Sequence, residues 1–258
     1  MKRVSIPYRI SGLVLLALGA AALVGPPLAS RCAECAAGQP RSWASFWVLA
    51  TRNSLLLALG VTAAAGLIGV PVGVVSALGR RSAGVGVSRL VEFAGSLPSL
   101  ILVILLRFWD STGGVAALGL TLASLRTLEV AQVVRTETLA GLRLPHVQAA
   151  RAMGASRRWQ LRTHVLPASK RAILGHLVSS ATWVVGLEAA LGFVGLGLGE
   201  SVPSWGSALR VGRAEAGDAL FVVGALTIVG ASVALHGLAV GLATEPLEAE
   251  LGSGARRE

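Results

Sequence analysis

Ser54 to Leu78 reads SLLLALGVTAAAGLIGVPVGVVSAL, a continuous apolar run without a charge. A helix needs about 20 such residues to cross the hydrocarbon core of a bilayer, and this run is longer. Comparable stretches lie at Ile10–Ala29, Val91–Trp109, Gly113–Val134, Ala172–Leu198 and Ala219–Ala243. Composition agrees: 53% of the 258 residues are hydrophobic and 14% are charged, where soluble domains carry about 25% charged residues. The 32 glycines suit membrane helices, because small residues let backbones approach closely. These patterns predict an all-α membrane protein with about six transmembrane helices.

Lysine and arginine set its orientation, since they concentrate on the cytoplasmic side. With a cytoplasmic N-terminus, sixteen of the 23 fall inside, eight of them between Arg135 and Arg171. Six fall outside, and Arg126 lies within a span. The expected division is a cytoplasmic N-terminus at 1–9, a first span at 10–29 and an external segment at 30–53. A transmembrane core follows at 54–243, containing a cytoplasmic loop at 135–171, and then a cytoplasmic tail at 244–258. Trp43, Phe46, Trp47, Phe108 and Trp109 then lie near the outer interface, which aromatic rings favour. Lys2 and Arg3 ahead of Leu13–Val24 also fit a cleaved signal peptide, but cleavage would spoil the even span count. The net charge of +10 does not point to nucleic acid, because the arginines fall where membrane topology uses them. Cys32 and Cys35, on the outer side, can form a small disulfide but no metal site or framework.

The inside loop carries HVQAARAMGASRRWQLRTHVLP, His146 to Pro167. His146 to Met153 has three alanines and no breaker, and so predicts a short helix that Pro145 can start and Gly154 can end. Ser156 suits the N-cap of a second helix through Trp159 and Leu161, with Pro167 at its far end. The result is helix, glycine bend, helix. The alanines keep the first helix slim enough to enter a groove, and the arginines can pair with a partner's acids or with anionic lipid.

Gln148-Ala149-Ala150-x3-Gly154, continuing to Leu166-Pro167, resembles the Glu-Ala-Ala-x3-Gly-x9-Ile-x-Leu-Pro loop of ABC-importer permeases. AARAMGAS followed by RTHVLP is similar to the dipeptide, oligopeptide and nickel branch. So are Glu188-Ala-Ala-Leu-Gly-Phe-Val-Gly-Leu-Gly, Pro203-Ser-Trp-Gly206 and the Arg135-x3-Leu139 step. Gly69-Val-Pro-Val-Gly73 resembles the family more loosely. The resemblance implies an inner-membrane permease whose loop docks into a cytoplasmic ABC ATPase, through Gln148, Ala149, Ala150, Arg151, Gly154, Ala155, Ser156, Leu166 and Pro167. It implies a second permease subunit forming a heterodimeric pore, an external solute-binding protein and surrounding membrane lipid. ATP and Mg would be used by the partner ATPase, with no cofactor bound by this chain. Peptides, or a related small solute such as nickel, are the implied cargo.

Some residues depart from the family. Gln148 replaces its glutamate, and QPRSWASFWVLATRNS before the second span lacks its usual Gly-Thr-Asp and Gly-Arg-Asp elements. Arg126 and Glu129 stand inside a span, where charges are costly and often functional. Three residues apart, they can meet on one helical face, either as a neutralising pair or lining a pathway. Glu188, inside a family motif, is expected along the pathway or at a subunit interface.

Nothing in the sequence points to catalysis. Neither lysine, Lys2 or Lys170, follows a glycine as a phosphate-cradling Gly-x4-Gly-Lys loop requires. His146, His164, His176 and His236 lack ligand spacing, and there is no Gly-x-Ser-x-Gly elbow. Gly192, Gly195, Gly197 and Gly199 close a membrane span rather than follow a strand, which suits tight packing or a turn. Two other classes fit the composition. An ion-coupled secondary transporter would use Arg126, Glu129 and Glu188 as a relay and show inverted repeats, which the chain lacks. A non-transporting scaffold would tolerate mutation at Glu188.

Overall fold

The Ser54–Leu78 run forms most of a longer helix, α1 (Trp43–Leu78). In the computed structural model, residues 11, 43–78, 86, 89, 93, 101, 103–105, 114–199, 202–215 and 218–254 are described. All elements among them are helical. After α1 come α2 (Val115–Gly141), α3 (Pro145–Ala152) and α4 (Arg157–Gln160). A π turn (Leu161–Val165) leads into α5 (Leu166–Val194), followed by α6 (Trp205–Glu215) and α7 (Asp218–Gly254). Among the described residues, four segments are long and apolar enough to cross a membrane: Phe46–Leu78, Val115–Gly141, Arg157–Val194 and Phe221–Ala243. They coincide with the expected second, fourth, fifth and sixth spans. The first and third, and with them Cys32 and Cys35, lie outside the described residues or nearly so.

Boundaries differ from the sequence reading in an informative way. α1 begins at Trp43, ahead of Ser54, because Asn53, Thr51 and their neighbours find polar partners instead of ending the helix. Pro71 lies inside α1, a position membrane helices tolerate where neighbours restore the lost backbone bonding. α2 runs on to Gly141 and α5 starts at Leu166, so the stretch between these two long helices shrinks to residues 142–165. Pro167 does not end the second loop helix. It sits in the first turn of α5, where a missing N–H costs least, and the π turn carries the backbone through.

Glycines set the helix contacts. Gly69 and Gly73, one turn apart, face α2 so closely that added Cβ atoms would lie 2.9 Å from the Thr127 carbonyl oxygen and 2.6 Å from that of Ala131. This is the small-xxx-small contact of membrane helices. Near the other end of α1, Leu57 approaches Gly119. Contacts that advance together along both helices mean that α1 and α2 run parallel. α5 opposes α1, with Ser54 on Glu188 and Gly66 beside Leu177. α7 opposes α5, with Gly175 against Ala239 and Phe193 against Phe221. The main core joins α1, α2, α5 and α6 around Leu118, Leu122, Val184, Leu191 and Trp205. A smaller cluster of Val147, Leu161 and Val165 packs on Val74, Leu78 and Leu142.

Candidate functional site

The loop at the Leu78 end of the bundle is built from local rules. Leu144 is extended and Pro145 takes the first turn of α3. That helix closes with two bonds, Ala155 N–H to the Ala150 carbonyl and Gly154 N–H to that of Arg151, both 3.0 Å. This is a Schellman ending, which needs a left-handed residue just beyond the helix; Gly154 supplies it at φ +91°. Ser156 then caps α4, its hydroxyl accepting from Trp159 N–H at 3.3 Å.

Tertiary contacts decide which faces remain free. Val147 and Ala150 turn inward, and Gln160 is buried with its amide donating to the Ala155 carbonyl at 2.7 Å. Gln148 is exposed, and its amide donates to the Leu142 carbonyl at 2.7 Å. Arg157 reaches the carbonyl of Leu78, the last residue of α1, at 3.4 Å. Ala149, Arg151, Met153, Gly154, Ser156, Arg158 and Trp159 face outward. Met153 is 83% exposed and Trp159 47%, and together with Ala150, Gly154, Ala155 and Ser156 they border an open concavity of about 470 Å³. Leu166 is half-buried and Pro167 exposed. The nine loop residues singled out in the sequence thus fall around one projecting helix–bend–helix, with Leu166 and Pro167 at its root.

Inside the bundle, Arg126 and Glu129 form an ion pair. Arg126 is buried; its second guanidinium nitrogen donates to the Ser180 hydroxyl at 2.7 Å, and its charge lies 4.9 Å from the Trp183 ring centre. It therefore ties α2 to α5 as well as neutralising Glu129.

Glu188 occupies a separate polar joint near the Val194 end of α5, at 1% exposure. The Ser54 hydroxyl donates to its Oε2 at 2.8 Å and accepts from Trp205 N–H at 3.0 Å. The indole of the fully buried Trp205 donates to Thr51 Oγ1 at 3.0 Å, and the Asn53 amide to the Pro203 carbonyl at 2.8 Å. Beside them Gly192 meets Gly206 so tightly that a Cβ on Gly206 would lie 2.6 Å from the Ala189 carbonyl oxygen and 2.7 Å from the Gly192 Cα. The Glu188 and Pro203–Gly206 motifs, separate in sequence, are two halves of this joint. Thr51, Asn53 and Ser54 complete it and were not singled out; a run of polar residues opening an apolar helix was the only available signal.

An open cleft of about 630 Å³ lies between α1 and α2 toward their Trp43 and Val115 ends, bordered by Asn53, Leu57, Gly60, Gly119, Ala123 and Leu198. Its lining is almost wholly apolar. Among the described residues, Glu188, Arg126 and Glu129 are not part of it. No group of three or more metal-ligating side chains occurs among the described residues.

These features define a helical, multi-pass membrane protein that projects a structured polar loop from one end. Residues 69–244 match the family described as binding-protein-dependent transport system inner membrane component. The match covers more than half of the chain, and the chain belongs to that family. It is 31% identical over 165 residues to a Brucella ovis protein named as a peptide permease, covering 64% of this chain and 54% of that one. It is 32% identical over 178 residues to an Escherichia coli K12 protein named as a D,D-dipeptide transport system permease, covering 64% and 55%. A Brucella suis protein named as a peptide transport system permease is 28% identical over 196 residues, covering 73% and 62%. The chain spans about half the length of the first two relatives.

Proposed function

We propose that this chain is the permease subunit of an ATP-driven importer, moving short peptides or a related small solute by alternating access. The observation that carries the reading is the projecting loop, with its slim helix, left-handed Gly154 and capped second helix in the order the family resemblance implies. The names of the relatives support a peptide cargo. In this reading the loop is cytoplasmic and docks on an ABC ATPase, which binds ATP and Mg. A second permease completes the pore, and an external solute-binding protein delivers cargo. Both termini are cytoplasmic and the spans number six. The six apolar runs of the sequence support that count.

The geometry also suggests how movement at the loop reaches the spans. Arg157 holds the end of α1, Val147 packs on Leu161 and Val165, and the π turn continues directly into α5. A pull on α3 therefore acts on α1 and α5 together. Glu188 serves in this reading as the anchor about which α5 stays joined to α1 and α6.

The test is a detergent pull-down of the full chain from its native membranes, with bound proteins identified by mass spectrometry. Recovery of an ATPase and a second permease, both lost with Gly154→Asp, is the expected result. A folded chain recovered without an ATPase would overturn the reading in favour of a gradient-driven transporter or a scaffold.

A further inference from the structure

We infer that the loop's partner meets it with an acidic rim around an apolar slot, so that docking is electrostatically selected. This rests on the ATPase-docking reading above and adds the chemistry of the partner's face. From Thr138 to Leu187 the chain has no Asp or Glu. Over the same stretch Arg143, Arg151, Arg157, Arg158, Arg162, Lys170 and Arg171 are all exposed. Arg157 is engaged by the Leu78 carbonyl. Arg151, Arg158 and Arg162 form no ion pair or side-chain hydrogen bond among the described residues. Between them stand the two exposed large apolar side chains of the bend, Met153 and Trp159. Gln148 brings no negative charge, and its amide is turned back on Leu142.

A basic rim around an apolar centre fits either an anionic membrane or an acidic protein, and distance decides between them. Arg157–Val194 is a 38-residue helical segment, about 57 Å long at about 1.5 Å per residue. A bilayer is about 30 Å thick in its hydrocarbon core and about 40–45 Å with headgroups. The apolar stretch of this segment begins after Lys170 and Arg171, and on the proposed topology the membrane boundary falls there. Trp159 then stands roughly 18 Å beyond Arg171 along the axis, past a headgroup layer of roughly 5–8 Å. Met153 and Trp159 are too far out to anchor in lipid. The occupant is a soluble protein, its carboxylates facing Arg151, Arg158 and Arg162 and its slot taking Met153 and Trp159.

The experiment titrates the full chain, in nanodiscs of zwitterionic lipid, with the ATPase subunit that co-purifies with it. Affinity is expected to fall at least about tenfold as salt rises from about 0.1 M to about 1 M, which shortens the Debye length from about 10 Å to about 3 Å. The double reversal Arg158→Glu with Arg162→Glu is expected to lose a similar factor, and Arg158→Lys with Arg162→Lys to keep most of the affinity. Lys170→Glu, at the membrane boundary, is expected to leave affinity unchanged. Tight binding that ignores both salt and the double reversal would overturn the acidic rim and leave the docking reading standing. Binding that appears only with anionic lipid in the nanodiscs would overturn it in favour of a membrane-facing loop. Absence of any co-purifying ATPase would overturn both readings.

Discussion

At its Val194 end α5 closes with Gly195 N–H on the Gly192 carbonyl and Leu196 N–H on that of Leu191, Gly195 standing at φ +92°. At the other end of the loop region α3 closes on Gly154 with the same two-bond ending and nearly the same φ. The local device is identical, but its surroundings are opposite. Around Gly192 and Gly206 backbones touch, and hydrogen bonds link Glu188 Oε2, Ser54 and Trp205 away from solvent. Nothing lies within 4 Å of where a Gly154 Cβ would sit, and the flanking Met153 and Trp159 are open. Gly195 and Gly154 both supply the backbone angle, but only the first site adds glycines needed for space, Gly192 and Gly206. One motif lies where helices are packed together; the other lies on an exposed projection.

Substitutions separate these two demands. The largest effect is expected for Gly206→Val, whose branched side chain has to displace backbone atoms of α5. Overpacking of this kind costs about 1–3 kcal/mol and occasionally more, so the melting temperature in detergent should fall sharply. An unchanged melting curve would mean that the joint is looser than its contacts imply. Glu188→Ala should come next, leaving the buried Ser54 hydroxyl without its acceptor at about 1–3 kcal/mol. Thermal stability should drop while the loop still retains its ATPase; loss of the ATPase with stability intact would assign Glu188 to assembly.

Gly154→Asp should change stability less, because the side chain points into open space and only the left-handed backbone is strained, at about 1–3 kcal/mol. Its signature is functional: ATP-driven uptake in proteoliposomes should collapse while the bundle melts near its usual temperature. Full uptake would remove the bend from the coupling role. The smallest effect is expected for Ser156→Ala, which deletes the cap of α4 at about 1 kcal/mol. Faster amide exchange confined to residues 156–160 would show it. Exchange spreading into α5 would mean that the cap also holds the π turn.

Much of the loop was legible because it obeys short-range rules. Alanine content, Pro145, the glycine bend and the Ser156 cap are read within a few residues, and the structure follows each of them. The Arg126–Glu129 pair was legible for the same reason, being three apart on one helix. Its third partner, Ser180, was not, since a hydroxyl in an apolar span looks the same with or without a distant guanidinium. Pro167 misled because a proline read locally stops a helix, whereas the π turn ahead of it lets the helix restart around it.

Hydrophobic length and periodic charge, both local properties, suffice to establish a helical membrane protein with one structured polar loop, and the order of its motifs points to a transport family. The tertiary structure alone decided where the motifs meet. It joined Glu188 to Ser54 across 134 residues, fitted Gly206 into Gly192, set α1 parallel to α2 through Gly69 and Gly73, and left Met153, Trp159 and the arginines unburied. Those outcomes depend on which helix faces are opposed, and a linear pattern of apolar residues leaves that choice open: a glycine reads the same whether a neighbouring backbone or solvent lies beyond it.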